Sequence, residues 1–157
     1  MTQSPHVYQL SLTWTGNTGE GTASYTGYER SHDLSAAGVP TLPASADEHF
    51  RGDPSRWNPE LLLLASSAEC HMLFVLSLAA RAGVTIIDYR DEPVGTMVVE
   101  PGGGGRFTGI ELRPTVTVSG GSDPGTVDDL HHRAHELCFI ANSLTCPITV
   151  AGSVEVA

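Results

Sequence analysis

The sequence contains no lysine: all eight of its basic residues are arginines, set against 18 acidic residues for a net charge of −10. A chain of that sign repels nucleic-acid phosphates and anionic lipid headgroups instead of displacing their counterions, so neither nucleic acid nor membrane is expected as a partner. Cysteine is also scarce, with three residues in all. That count is odd and too small for a disulfide scaffold, which leaves any cysteine chemistry to a site. The opening residues, MTQSPHVYQL, lack the basic and apolar regions of a secretory signal, and a cytoplasmic location is expected. No internal repeat, low-complexity tract or long linker is present. The 157 residues, 40% apolar and 17% charged, predict a single domain over 1–157 that can bury a core without staples.

What the chain does have is one long apolar run, LLLLASSAECHMLFVLSLAA, from Leu61 to Ala80. It is long enough to be weighed as a membrane span, but Glu69 and His71 at its centre, three serines and no basic N-terminal flank argue against one. The start and stop signals are those of a helix. Asn58 can cap, Pro59 suits the first helical position, Glu60 meets the positive end of the dipole, Arg81 falls in the last turn and Gly83 lies just beyond. A helix apolar nearly all round must be covered nearly all round. The reading is a central buried helix, part of whose cover comes from a second subunit.

The flanks read as strands at Val7 to Trp14, Thr22 to Tyr28, Val84 to Tyr89, Gly95 to Val99, one long strand from Phe107 to Val118, and a last one from Ile148 to Val156. The stretch GVPTLPASADEHFRGDPSRW reads as a loop, and PGGGGR as a hairpin turn, because Arg-Phe-Thr and a strand follow where a phosphate-binding loop needs Lys-Ser/Thr and a helix. A second helix is predicted from Asp123-Pro124 to about Leu137, then a short helical piece to Leu144. The fold class is α+β, a mostly antiparallel sheet packed against helices.

Two groups of residues can carry chemistry. His131, His132, His135 and Cys138 gather near the second helix; His131 and His135, four apart, share a face and have a spacing that can chelate zinc, and Cys70 or His71 could in principle add a donor, although no C-x-x-C pair accompanies them and a His-rich amphipathic helix is often plain surface. Cys70 lies in the apolar helix, flanked by Glu69 and His71. Inert buried cysteines live in such surroundings, but Arg51 and Arg56 precede the helix and can favour a thiolate. Glu60 can hold an arginine by a bidentate pair, and Cys138 offers a second thiol. Cys146, before Pro147, reads as a buried structural thiol.

The segments F-R-G-D-P (Phe50 to Pro54), N-P-E-L-L-L (Asn58 to Leu63), A-S-x-A-x-C-H-M-L (Ala65 to Leu73) and A-H-x-x-C-F-I-A-N-S (Ala134 to Ser143) resemble the OsmC/Ohr family of organic hydroperoxide reductases. W-T-G-N-x-G-x-G-T (Trp14 to Thr22) and G-R-F-T-x-I-x-L-R-P (Gly105 to Pro114) fit as well, so the resemblance spans nearly the whole chain in order. It implies an intertwined homodimer acting as a thiol-dependent peroxidase on alkyl or fatty-acid hydroperoxides. By position, Cys70 is then the peroxidatic nucleophile, Cys138 the resolving cysteine, Arg51 the cation at the thiolate and Glu60 the residue that orients Arg51. No resident cofactor or metal is implied; the reductant is an external dithiol such as a dihydrolipoyl group on a lipoylated protein. Glu60 and Cys70, ten residues apart, are separated by roughly 15 Å on one helix. Either Arg51 spans that gap, or two such helices cross and Glu60 serves the neighbour's Cys70. The alternatives to catalysis are a redox sensor using the same two cysteines and a zinc- or ligand-binding protein using its histidines.

Overall fold

The structure is a computed structural model and describes residues 4–157. It divides into two compact units between Leu62 and Leu63. The first carries a three-stranded antiparallel sheet in the order β1 (Ser11–Trp14), β2 (His32–Ser35), β3 (Leu42–Ala44). Two of these strands differ from the sequence reading. Residues 22–28 form turns, tied by the Gly27 N–H to the Ser24 carbonyl at 3.1 Å and by Thr18 Oγ1 to the Gly27 carbonyl at 2.6 Å. The Arg30 guanidinium lies over the Tyr25 and Tyr28 rings at 4.6 and 4.1 Å and donates to both of their carbonyls. Small polar residues with local partners here satisfy their backbone without a ladder. The ladder forms instead in β2 and in β3, inside the stretch read as a loop. Pro43 is tolerated in β3 because that strand is an edge of the sheet, where a missing N–H costs little.

Helix α1 (Pro59–Ala82) has the predicted ends. Asn58 Oδ1 accepts the Leu61 N–H at 2.8 Å, and Gly83 takes φ 74° while the Val84 N–H returns to the Ala79 carbonyl at 3.0 Å. Its burial departs from expectation: within the chain only Ser67, His71, Val75 and Ala79 are buried, a single stripe at every fourth residue. Leu73 remains 55% exposed. The helix is long and apolar enough to cross a membrane by length and composition, yet its central His71 is packed inside the protein.

The second unit is built from strand segments that turn a common corner. β4 (Ile86–Asp91) pairs antiparallel with β7 (Pro114–Val118), and β5 (Val94–Val99) with β6 (Gly105–Leu112). β8 (Ile148–Val150) then adds parallel to β6, and β9 (Ser153–Val156) parallel to β7. The run read as one strand from Phe107 to Val118, and that from Ile148 to Val156, are therefore each broken in two, with halves in different sheets. The break falls at Glu92-Pro93, Arg113-Pro114 and Ala151-Gly152. Proline cannot donate to a ladder, and at the corner the Arg113 N–H is satisfied by Asp91 Oδ1 at 2.7 Å and the Ala151 N–H by the Leu112 carbonyl at 2.8 Å. Gly152 is confined there: a Cβ would lie 3.3 Å from Pro114 Cγ and 3.4 Å from His131 Nε2. The predicted glycine hairpin is present, closed by the Gly103 N–H to the Glu100 carbonyl at 2.9 Å.

Helix α2 (Pro124–Leu137) begins where predicted, with the Asp123 side chain accepting from the Gly125 N–H at 3.0 Å. The core joins Val127 and Leu130 of α2, Ala79 of α1, Val84, and Val116 and Val118 of β7. Ile86, Tyr89, Val154 and Leu78 pack around it. A short 3-10 turn, Ala141–Ser143, follows α2 as expected.

Candidate active site

Cys138 stands at the C-cap of α2 and is 1% exposed. It faces Cys70, and both are free thiols. Burial pushes the Cys138 thiol up, and the neighbouring Cys70 sulfur adds to the rise; the Ala141 N–H, 3.4 Å from Cys138 Sγ, opposes it. The pair is thus asymmetric. Cys138 is enclosed and held as a thiol. Cys70 is half-buried and opens on a cleft of about 260 Å³, lined also by Leu73, Phe74, Ser77 and Phe139. Phe74 and Phe139 meet edge to face at 5.1 Å and 82°, a preferred aromatic geometry, and Phe139 is 72% exposed at the mouth. Met72, also an apolar neighbour of Cys70 in sequence, is not among the lining residues. Glu69 is exposed and Cys146 is half-buried rather than buried.

The other two candidate residues belong to the first unit. Arg51 ends the 3-10 turn Glu48–Phe50 with φ 65° and ψ 29°, the left-handed region, and is the one non-glycine with positive φ among the described residues. Such a conformation costs a side-chain-bearing residue about 1 kcal/mol or more and persists where the surroundings impose it. They do so here. The Arg51 N–H donates to the Glu48 carbonyl at 2.9 Å and the Gly52 N–H to the Asp47 carbonyl at 3.0 Å. A Cβ on Gly52 would fall 1.6 Å from the Ala46 carbonyl oxygen. The turn fixes where the Arg51 side chain leaves the backbone. Gly52→Ala is therefore expected to disorder it and to lower the midpoint of thermal unfolding by several degrees; an unchanged midpoint would show that the turn can open freely.

Arg56, the rival cation, has its Nε 3.4 Å from Asp53 Oδ2. Arg51 is exposed and enters no ion pair among the described residues. Glu60 Oε2 is shielded from solvent without a hydrogen-bond partner among the described residues. The two side chains do not pair with each other here, so one unmatched guanidinium and one unmatched carboxylate oxygen stand in the same unit.

Two buried histidines meet behind the thiols. His71 Nε2 lies 2.9 Å from His131 Nδ1, with the two residues 1% and 6% exposed. The rings are within 8° of parallel and their centroids 5.2 Å apart. A nitrogen contact this short between parallel rings places them edge to edge in a common plane, joined by an N–H···N bond. The sequence reading offered His71 as a further metal donor beside His131 and His135, but not as a direct hydrogen-bond partner of His131. Nor does the surface reading of a His-rich helix hold for His131. His131, His132 and His135 line a second cleft of about 230 Å³ with Asp128, Ile148, Val150 and Gly152. Among the described residues no group of three His, Cys, Asp or Glu side chains is arranged to hold a metal ion.

The second unit, of mixed α and β structure, thus presents two facing thiols, one enclosed and one opening on an apolar cleft. Comparison with known families is specific: the model described as OsmC-like protein matches residues 52–152, and the chain belongs to the OsmC-like family. Its structure is similar to that of an OsmC-like protein of unknown function from Vibrio cholerae O1 biovar eltor, at 30% identity and TM-score 0.84, covering 94% of this chain and 99% of that one. It is also similar in fold to an organic hydroperoxide resistance protein OsmC from Legionella pneumophila (19% identity, TM-score 0.67, covering 96% and 99%). The same holds for an organic hydroperoxide resistance protein from Elizabethkingia anophelis (18%, 0.67, 98% and 100%). Among curated proteins no match was found.

Proposed function

We propose that the protein is a thiol-dependent peroxidase that reduces organic hydroperoxides to alcohols. The observation that carries this reading is the asymmetric cysteine pair: Cys70 at an apolar cleft and Cys138 enclosed behind it. The Cys70 thiolate attacks the terminal oxygen of R–O–OH; the O–O bond breaks, the alkoxide takes a proton and leaves as R–OH, and Cys70 becomes a sulfenic acid. The Cys138 thiol displaces the sulfenic oxygen as water, which leaves a Cys70–Cys138 disulfide. An external dithiol, such as a dihydrolipoyl group, reduces that bond by exchange and is itself oxidised to a disulfide. The Leu73, Phe74 and Phe139 walls suit an alkyl or acyl chain, which favours organic peroxides over hydrogen peroxide.

Arg51 is assigned to the thiolate and the departing oxygen, and Glu60 to orienting Arg51. Their unmatched groups are complementary, and a guanidinium–carboxylate pair would satisfy both. The active form is proposed to be a homodimer in which second copies cover the apolar faces of α1 left bare in the chain; each leucine so buried is worth about 1.5–3 kcal/mol. A cytoplasmic location, where thiols stay reduced, fits a cycle that consumes dithiol. Membership of a family with structural relatives named for organic hydroperoxide resistance supports the reading.

The test is turnover of cumene hydroperoxide with dihydrolipoate or dithiothreitol as the electron source. Turnover that prefers cumene hydroperoxide to hydrogen peroxide is expected; a disulfide that forms once without catalytic turnover would point to a redox sensor. Cys138→Ser is expected to react once and then stall, with mass spectrometry finding Cys70 as sulfenic and then sulfinic acid. Retention of full multiple turnover by that variant would remove Cys138 from the cycle.

A further inference from the structure

The two helices that carry the thiols are also the two that carry the buried imidazoles. On α1, His71 follows Cys70 directly; on α2, His131 precedes Cys138 by seven residues, two turns along the same helix face. Each α1 residue meets its α2 counterpart: Cys70 faces Cys138, and His71 bonds His131. Side chains one residue apart on α1 diverge by about 100°, yet they reach points two turns apart on α2, so α2 runs across α1 rather than along it. To the apolar packing of α1 and α2 in the common core, a directional contact adds a preference for one register. The N–H···N bond is such a contact, because it has an optimum in distance and angle that apolar packing lacks.

The pair is costly in a way that packing alone does not explain. Two neutral imidazoles carry two N–H groups; one lies in the shared bond and the other on an outer nitrogen. Both outer nitrogens, His71 Nδ1 and His131 Nε2, are buried without partners among the described residues. A buried polar nitrogen without a partner is unfavourable, whereas two leucines would fill the space without that penalty.

We infer that the His71–His131 hydrogen bond is a positioning clasp that fixes the crossing of α1 on α2 at the place where Cys70 and Cys138 come within bonding reach. The inference deepens the proposed function by adding two positioning residues to its cysteine pair, and rests on that pair being redox-active. A disulfide tolerates little error in the approach of its two side chains, so holding the crossing in place raises the effective concentration of one thiol at the other.

The test reads the thiol pair directly and needs no peroxide. In a Cys146→Ser background, the Cys70–Cys138 disulfide is equilibrated against glutathione, each disulfide formed consuming one oxidised glutathione and releasing two reduced ones. His71→Leu and His131→Leu are each expected to lower that equilibrium constant by about tenfold, and the double variant by no more than the worse single, because both remove the same bond. His131→Asn, whose side chain keeps an acceptor at the place of Nδ1, and His71→Gln, which keeps a donor at the place of Nε2, are expected to stay within about threefold of the parent. The exposed His132→Asn should match the parent. A role in packing alone predicts the reverse order, with leucine equal to or better than the amides, and that order would overturn the clasp. Should the leucine variants fail to fold, the amide variants decide it: a tenfold loss in both, with retained secondary structure, is the overturning result. Failure of the peroxidase reading appears separately, as absent hydroperoxide turnover alongside a normal glutathione equilibrium. A parent that forms no Cys70–Cys138 disulfide overturns both.

Discussion

Replacing Cys70 by serine is expected to abolish dithiol-dependent turnover of organic hydroperoxides, with a loss of about a thousandfold or more in kcat/KM. The size follows from the chemistry at one atom. In the proposed cycle the O–O bond is cleaved by a polarisable thiolate. A serine hydroxyl ionises far above working pH and is a poor nucleophile toward peroxide oxygen, so the variant has no alternative route. The site offers no substitute: Cys138 is 1% exposed and held as a thiol by burial, and Cys146 lines no part of the cleft at Cys70. Because serine is close to cysteine in size, the half-buried position should accept it, and the thermal midpoint should move by only a few degrees. Peroxide consumption coupled to dithiol oxidation, measured at equal folded concentrations, checks the result. If Cys70→Ser retained turnover within tenfold of the parent, the nucleophile would have to be sought elsewhere.

The second large effect is on stability against pH. Burial, and then the neighbouring His131 and His135, lower His71 from 6.5 to about 4. His131 is lowered as well by burial, with Asp128 opposing and His132 adding to the fall. In the unfolded chain these imidazoles titrate near their ordinary value, so between about pH 6.5 and 4 the unfolded state binds more protons than the folded one. Stability therefore rises with pH across that window and is lost on acidification. A single histidine shifted this far contributes about 2–3 kcal/mol over the window, at roughly 1.4 kcal/mol per pH unit. Urea unfolding at fixed protein concentration, from pH 7.5 down to 4, should show the fall, and His71→Gln, which keeps a donor but has nothing to titrate, should flatten it. A parent and variant with parallel pH profiles would mean that His71 is protonated in the folded protein at no cost.

The parts of the molecule legible in the sequence were those written locally. Asn58, Pro59 and Gly83 mark both ends of α1, and Asp123-Pro124 marks the start of α2, because caps act within a few residues of the backbone they satisfy. Cys70 and Cys138 could be singled out by residue type, and the family resemblance paired them. What escaped was set by partners distant in sequence. Residues 107–118 keep an alternating pattern straight through Pro114, so periodicity shows two inward faces but not that they belong to different sheets. Pro93 and Pro114 at the same corner were the available signal. In the N-terminal sheet β1 falls within the strand predicted from Val7 to Trp14, whereas β3 is not legible because Leu42–Ala44 is short and proline-bearing and becomes a strand only beside β2. The His71–His131 bond joins residues 60 positions apart; helical spacing gives the face on which each lies, never what stands opposite. The bare faces of α1 likewise separate what one chain can cover from what its apolarity demands.

Gly152 now carries a larger meaning than a turn in a strand. The one direction in which it would grow a side chain is occupied by Pro114, which makes the sheet corner, and by His131, which holds one end of the imidazole pair. Two requirements that evolution could otherwise adjust separately are therefore tied to a single codon. A side chain there presses on the proline and the ring together, and each must give by a few tenths of an ångström to admit even a methyl group. In a saturation library scored once for folding and once for disulfide formation, Gly152 should be a position at which the two scores fail together.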